Sequence, residues 1–268
     1  MSIQVKKSQY NFKDLIEIME KLRDPKNGCE WNKSQDSMSI RNYCIEEAYE
    51  VVESIENKDI KALCEELGDL LFQVIFHSQI NREKSNFDIN DVIQILCEKM
   101  IRRHPHVFIN NNREDKSKIE LSWERVKKEE RLKKGNKGLL SDIPYAFPAM
   151  TRSIKIQKRA SQNGFDWTNI EDVFNKVNEE LEELNQALEL NDIENANEEI
   201  GDLIFSIVNL SRKLKIDPEL ALRNTNSKFT KRIAYIEKEL EKEDKKFNQT
   251  NLSELEKFWS AAKNKLKR

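Results

Sequence analysis

ELGDLLFQVI at residues 66–75 and EIGDLIFSIV at residues 199–208 are one ten-residue pattern written twice, 133 residues apart. Upstream, EEAYE at 46–50 and EELEE at 179–183 repeat at the same displacement, so Glu46, Glu47 and Glu50 correspond to Glu179, Glu180 and Glu183. A common offset across two separated motifs marks a duplicated unit. Apolar residues at helical spacing around both copies predict helices near 12–23, 37–57, 59–82, 89–103, 117–134, 148–161, 170–190, 192–215, 217–241 and 251–264. No convincing period-2 strand accompanies them, and 6 Gly and 5 Pro in 268 residues are too few turn residues for a many-stranded fold. The expected fold is all-α: two tandem helical bundle domains, each pairing helices that carry EExxE and ExxD.

Gly135, Asn136, Gly138 and Pro144 interrupt the helical pattern between the copies, which sets domains at 1–134 and 148–268 with a linker over 135–147. Asp59, Asp88 and Asp217, the last followed by Pro218, read as helix starts. The 46 Lys+Arg nearly cancel 48 Asp+Glu, leaving a formal charge of −2 that argues against a general polyanion binder, so no nucleic-acid partner is expected. A hydrophobic content of 38% suits narrow apolar stripes, some of them packed against a partner subunit. No run of about 18 apolar residues exists and MSIQVKKSQYNF lacks an apolar leader core, so a cytoplasmic protein without a membrane partner is expected. Cys29, Cys44, Cys64 and Cys97 show no CxxC spacing and read as reduced, mostly packed thiols.

Spacing of i, i+3 puts Glu47 with Glu50, and Glu66 with Asp69, on common helix faces; Glu180 with Glu183, and Glu199 with Asp202, repeat this. Any single pair reads as a solvated charged face. The neighbourhood argues otherwise: Leu70, Leu71, Phe72, Val74, Ile75 and Phe76 follow Asp69, and Leu203, Ile204, Phe205, Ile207 and Val208 follow Asp202. Helices apolar nearly all round are expected to be buried and to carry their acids toward the core. Packed antiparallel, each pair of helices gathers four carboxylates, which would repel one another unless protonated or neutralised by divalent cations. An all-oxygen donor set favours Mg²⁺, with Mn²⁺ as substitute, over zinc or copper. A di-iron bundle requires Glu-x-x-His pairs, which the chain lacks. Magnesium held by carboxylates commonly meets substrate phosphates, so a phosphate-ester or phosphoanhydride site is expected.

Phosphate needs cations. Lys228 and Arg232 share a helix face after the second hairpin, and Lys99 and Arg103 after the first; each pair reads as a solvated face or a phosphate contact. Lys176, four residues before Glu180, reads as a helix ion pair or a phosphate contact, and Trp259 as a core anchor or a base-stacking surface. His104 and His106 have no second ligand pair at zinc spacing. No GxxxxGK(S/T) or GxGxxG cradle is present.

These motifs, with LRDPKNGC at 22–29, RRHPHVF at 102–108 and KIQKRASQNGFDW at 155–167, run over almost the whole chain. Together they resemble the two-domain MazG family of nucleoside triphosphate pyrophosphohydrolases. The resemblance implies Mg²⁺-dependent hydrolysis of nucleoside triphosphates to monophosphate and pyrophosphate by water attack at the α-phosphorus, in a homodimer of helical bundles. It implies that Glu180, Glu183, Glu199 and Asp202 are the metal ligands of the C-terminal site, with Glu47, Glu50, Glu66 and Asp69 the corresponding N-terminal cluster. Lys176, Glu179, Glu198, Asp202, Lys228, Arg232 and Trp259 are implied nucleotide contacts, and Glu179 or Glu180 the group that orients or deprotonates the water. The C-terminal copy is the one expected to hydrolyse. Two positions depart from the family pattern: Cys29-Glu30-Trp31-Asn32 stands in place of CPWD, and Asn195 in place of a lysine. Two alternatives stay open: a specialised house-cleaning enzyme for one noncanonical or deoxy nucleotide, and a non-enzymatic helical scaffold that binds partners through its acids.

Overall fold

The computed structural model describes residues 9–108, 125–126, 129–130, 135 and 138–266. The helix expected over 117–134 lies almost wholly outside these residues. The chain divides into two compact units, Met1–Lys127 and Lys128–Arg268. Every described helix or strand element is helical, as the turn-poor composition requires.

The first unit contains α1 (Phe12–Leu22), α2 (Glu30–Ser34), α3 (Tyr43–Glu56), α4 (Ile60–Glu83), α5 (Ile89–Arg103) and α6 (Pro105–Phe108). Asp59 and Asp88 cap α4 and α5, accepting backbone N–H bonds that helix starts otherwise leave unmet. The helix expected from 37 begins only at Tyr43. Before it, Asp36 Oδ1 accepts from the backbone of Met38 and Ser39, a local turn that competes with helix. Met19, Ile40, Ile75, Phe76, Ile80 and Ile89 form the core where α1 and α5 pack on α4. Arg23, only 8% exposed, reaches both Glu83 carboxylate oxygens at 2.8 and 2.7 Å. It also donates to the Asn32 and Gln35 carbonyls and lies over the Phe76 ring. The departure Cys29–Asn32 is thus held as a structural corner, with Trp31 packed on Tyr43 and Phe76.

The second unit contains α7 (Ala149–Ser161), α8 (Ile170–Glu189), α9 (Ile193–Lys213), α10 (Pro218–Lys242) and α11 (Leu252–Lys265), with a 3-10 turn at Phe247–Gln249. Asp217 caps α10 with Pro218 at its first position. Val173, Ala187, Ala196, Val208, Ile236, Leu240 and Ala262 are buried. Residues 138–147 are attached to α7, where Arg159 pairs with Asp142 and Arg152 lies over the Tyr145 ring. The turn between α7 and α8 is fastened to the end of α9: Asp166 accepts from Arg212 and Ser161 and pairs with Lys213.

The duplicated hairpins are α3–α4 and α8–α9. In each, a three-residue connection folds the second helix back on the first as an αα-hairpin. Both connections use a left-handed residue, Lys58 at φ 57 and Asn191 at φ 53, followed by the capping Asp59 or Asp192.

Two expectations are corrected. The acid-bearing helices are not buried all round: Leu67, Leu71 and Val74 on α4, and Ile200, Ile204, Phe205 and Ile207 on α9, are exposed. Each helix inserts one face into its unit and leaves the other apolar face open. Nor are the thiols mostly packed, since Cys29, Cys64 and Cys97 are exposed and only Cys44 is half-buried.

Candidate active site

Each hairpin brings three acids together. Glu47 from α3 meets Glu66 and Asp69 from α4, and Glu180 from α8 meets Glu199 and Asp202 from α9. In both triads one carboxylate oxygen of each residue lies within 4.8 Å of the others. Antiparallel helices and i, i+3 spacing place them so, and the short connections fix the register. These are the only such groups of three His, Cys, Asp or Glu among the described residues.

Glu50 and Glu183, the remaining expected ligands, stand one turn along from Glu47 and Glu180. Glu50 acts on its cluster, and Glu183 is acted on by its own. Burial, then Asp69 and Glu50, pushes the Glu47 carboxyl above its ordinary range. Burial and the Glu50 charge do the same at Glu66, and burial, Glu180 and Glu199 at Glu183. Such crowding is the condition a bound dication relieves, and the donors are all oxygens, so the residues present fit Mg²⁺ or Mn²⁺.

The halves differ in what surrounds the acids. In the second, Lys176 Nζ bridges Glu179 at 2.8 Å and Glu180 at 2.7 Å, while Glu180 is only 4% exposed. Hydrogen bonds to those two carboxylates hold the Lys176 pKa well above the usual lysine range. Lys176 is therefore a counter-ion to both carboxylates; Tyr43 stands at the corresponding place in the first half. Glu198 and Lys228 are exposed on α9 and α10. Arg232 lies over the Trp259 ring at 5.1 Å, and Phe229 packs on the same ring at 5.2 Å. Trp259 is consequently both a half-buried anchor of α11 on α10 and part of a cationic aromatic platform. Lys99 and Arg103 are half-buried on α5. Asn195 helps start α9, its backbone N–H bound by Asp192.

Residues 35–108 and 168–236 each match the model of the MazG nucleotide pyrophosphohydrolase domain. The chain is 44% identical to the nucleoside triphosphate pyrophosphohydrolase/pyrophosphatase MazG of Thermotoga maritima, over 94% of this chain and 95% of the relative. The chain belongs to the MazG family.

Identity is 41% to the nucleoside triphosphate pyrophosphohydrolase of Escherichia coli, over 93% of this chain and 95% of that one. It is 39% to the uncharacterized protein YabN of Bacillus subtilis, over 95% of this chain but 52% of the relative. Each half of this MazG chain contains its own acidic hairpin inside a matched segment. Sequence reading gathered four acids in each hairpin, of which the structure brings three within 4.8 Å of one another, and it missed other polar groups on the same helices. Cys44 Sγ lies 3.3 Å from His77 Nε2, and Gln73 donates to Glu47 at 3.4 Å. The signal was available, since Cys44 precedes Glu47 by one turn and Gln73 precedes His77 by one turn.

Proposed function

We propose that the chain hydrolyses nucleoside triphosphates to nucleoside monophosphate and pyrophosphate at the C-terminal hairpin, with Mg²⁺ held by Glu180, Glu183, Glu199 and Asp202. The observation that carries this reading is the Glu180–Glu199–Asp202 triad, with its oxygens within 4.8 Å, on the half that also supplies Lys176 and the Arg232–Trp259 platform. A dication bound there supplies charge neutralisation of the phosphates and acidifies a water.

The chain's own groups account for the rest. Lys228 and Arg232 offset the charge that gathers on the departing pyrophosphate, a preorganised electrostatic contribution. Trp259, held by Phe229 and Arg232, offers a ring edge or face to the nucleoside. Glu179 and Glu180 converge on one ammonium, so a water displacing Lys176 from them lies within reach of both. With Glu180 in the triad, Glu179 is the carboxylate left to receive the proton from the attacking water. Lys176, once released, joins the cations around the triphosphate.

The apolar faces left open on α4 and on α9, carrying Leu71 and Ile204 respectively, support a homodimer. No helix among the described residues is long and apolar enough to cross a membrane. The cytoplasm, where nucleoside triphosphates are abundant, is the compartment we propose. The test incubates the full chain with Mg²⁺ and a panel of ribo- and deoxynucleoside triphosphates, resolving pyrophosphate from orthophosphate. Equal amounts of pyrophosphate and monophosphate are expected, abolished by chelation. Release of orthophosphate, or of neither product from any triphosphate, overturns the reading. Comparable rates across the panel separate a general hydrolase from a specialised one.

A further inference from the structure

Gly201 stands between two carboxylates of the C-terminal triad, two residues after Glu199 and one before Asp202. It is exposed in the interior of α9, and a Cβ placed on it would meet nothing within 4 Å. No neighbour in the chain therefore requires the missing side chain, and glycine inside a helix is destabilising relative to alanine. Gly68 repeats these features in α4, between Glu66 and Asp69. A residue that weakens its helix in both copies, with room around it for a methyl group, keeps the backbone bare for something beyond the chain's own packing.

The side chains on the same face of α9 narrow what that is. Helical spacing puts Asn197 and Glu198 one turn before Gly201 and Phe205 one turn after it, and all three are exposed. Farther along, this face closes: Val208, seven residues from Gly201, is only 1% exposed. The open stretch is thus local, beginning beside Asp202 and ending where α9 is covered. It offers a carboxylate and an amide on one side and an aromatic ring on the other. A phosphate is repelled by Glu198. A pentose suits both sides, since its hydroxyls donate to a carboxylate or an amide oxygen and its C–H face lies against an apolar ring. In α4 the set is incomplete: Cys64 replaces Asn197, and Phe72 packs on Phe76 at the core.

We propose that Gly201 is a specificity-determining position, whose bare turn of α9 seats the sugar of the nucleoside triphosphate between Glu198 and Phe205. The phosphates then lie on the metal side, at Glu199 and Asp202. The sugar seat rests on the hydrolytic reading of this hairpin, and it adds the reason for a glycine between two metal ligands. A methyl group at this position occupies the space of the sugar and touches neither the carboxylates nor the core.

Calorimetric titration of the full chain in Mg²⁺ tests this with two probes, α,β-methylene ATP and inorganic triphosphate. Gly201→Ala should weaken the nucleotide at least about tenfold, the order expected of one misplaced methyl group, and leave inorganic triphosphate within about twofold. Gly68→Ala should change neither. Circular dichroism reports the helices of each variant, and sedimentation velocity the number of subunits. Equal loss for both probes would put phosphate or metal at Gly201, and an unchanged nucleotide affinity would leave the bare turn without a sugar. A lost dimer in Gly201→Ala would assign the turn to a subunit contact, and an equal effect of Gly68→Ala would make it a property of the helix. Each of these overturns the proposal. Selective weakening of the nucleotide, in a chain whose wild type releases no pyrophosphate, removes the hydrolytic reading and keeps the sugar seat. A wild-type chain that does not bind the nucleotide removes both.

Discussion

Asp202 and Asp69 occupy the same place in two copies of one hairpin, so substituting them asks which copy works. Asp202→Ala removes one oxygen donor from the C-terminal triad and should lower pyrophosphate release by about 10²-fold or more. Asp69→Ala should leave the rate within about twofold, because Tyr43 stands where the second half has Lys176. Steady-state assays of the two variants decide this. Glu183 bears on pH. Its carboxyl is raised above the ordinary range by burial and by Glu180 and Glu199, so the folded chain holds a proton the unfolded chain has released. Stability from this group is therefore lost as pH rises from about 4.3 through the folded value. In chelator at pH 7, Glu183→Gln should melt at a higher temperature than wild type. The gain should disappear near pH 4, and thermal scans at the two pH values give the answer. The acids were legible one by one because acid spacing survives in sequence; Lys176 was not, because an ion pair and a phosphate contact use the same lysine at the same i, i+4 spacing.

On the scale of elements, the hairpins carry a glycine with no local reason to be one. Gly68 and Gly201 sit inside α4 and α9, and a Cβ built on either meets nothing within 4 Å. Glycine in a helix interior costs roughly 0.5–1 kcal/mol relative to alanine. Gly201→Ala should accordingly raise stability by about that much, read from urea midpoints at unchanged m-value. Helix starts at Asp59, Asp88 and Asp217 were legible because a capping side chain acts on its own first turn. α2 and α6 escaped sequence reading because five and four residues span too little periodicity to stand out.

For the whole molecule, the open apolar faces are the outstanding feature. Leu71 and Ile204, equivalent in the repeat, remain exposed although their helices contribute the core residues Ile75, Phe76 and Val208. Exposed apolar surface of this kind mostly marks an interface. Sedimentation equilibrium should give a particle of two 31.7 kDa chains. Ile204→Lys should shift it to one chain with unchanged helicity, since a desolvated ammonium in an apolar interface has no partner.

Sequence by itself determined the all-α class, the duplication, the hairpins and the acids each hairpin carries, because 3.6-residue periodicity, caps and i, i+3 spacing are local rules that a repeat states twice. Tertiary structure alone decided which face of α4 and α9 is buried, that Lys176 closes on Glu180, and that Cys44 meets His77. Those outcomes turn on which elements pack against a helix from outside, and residues 33 apart along the chain become neighbours only when two helices fold back on each other.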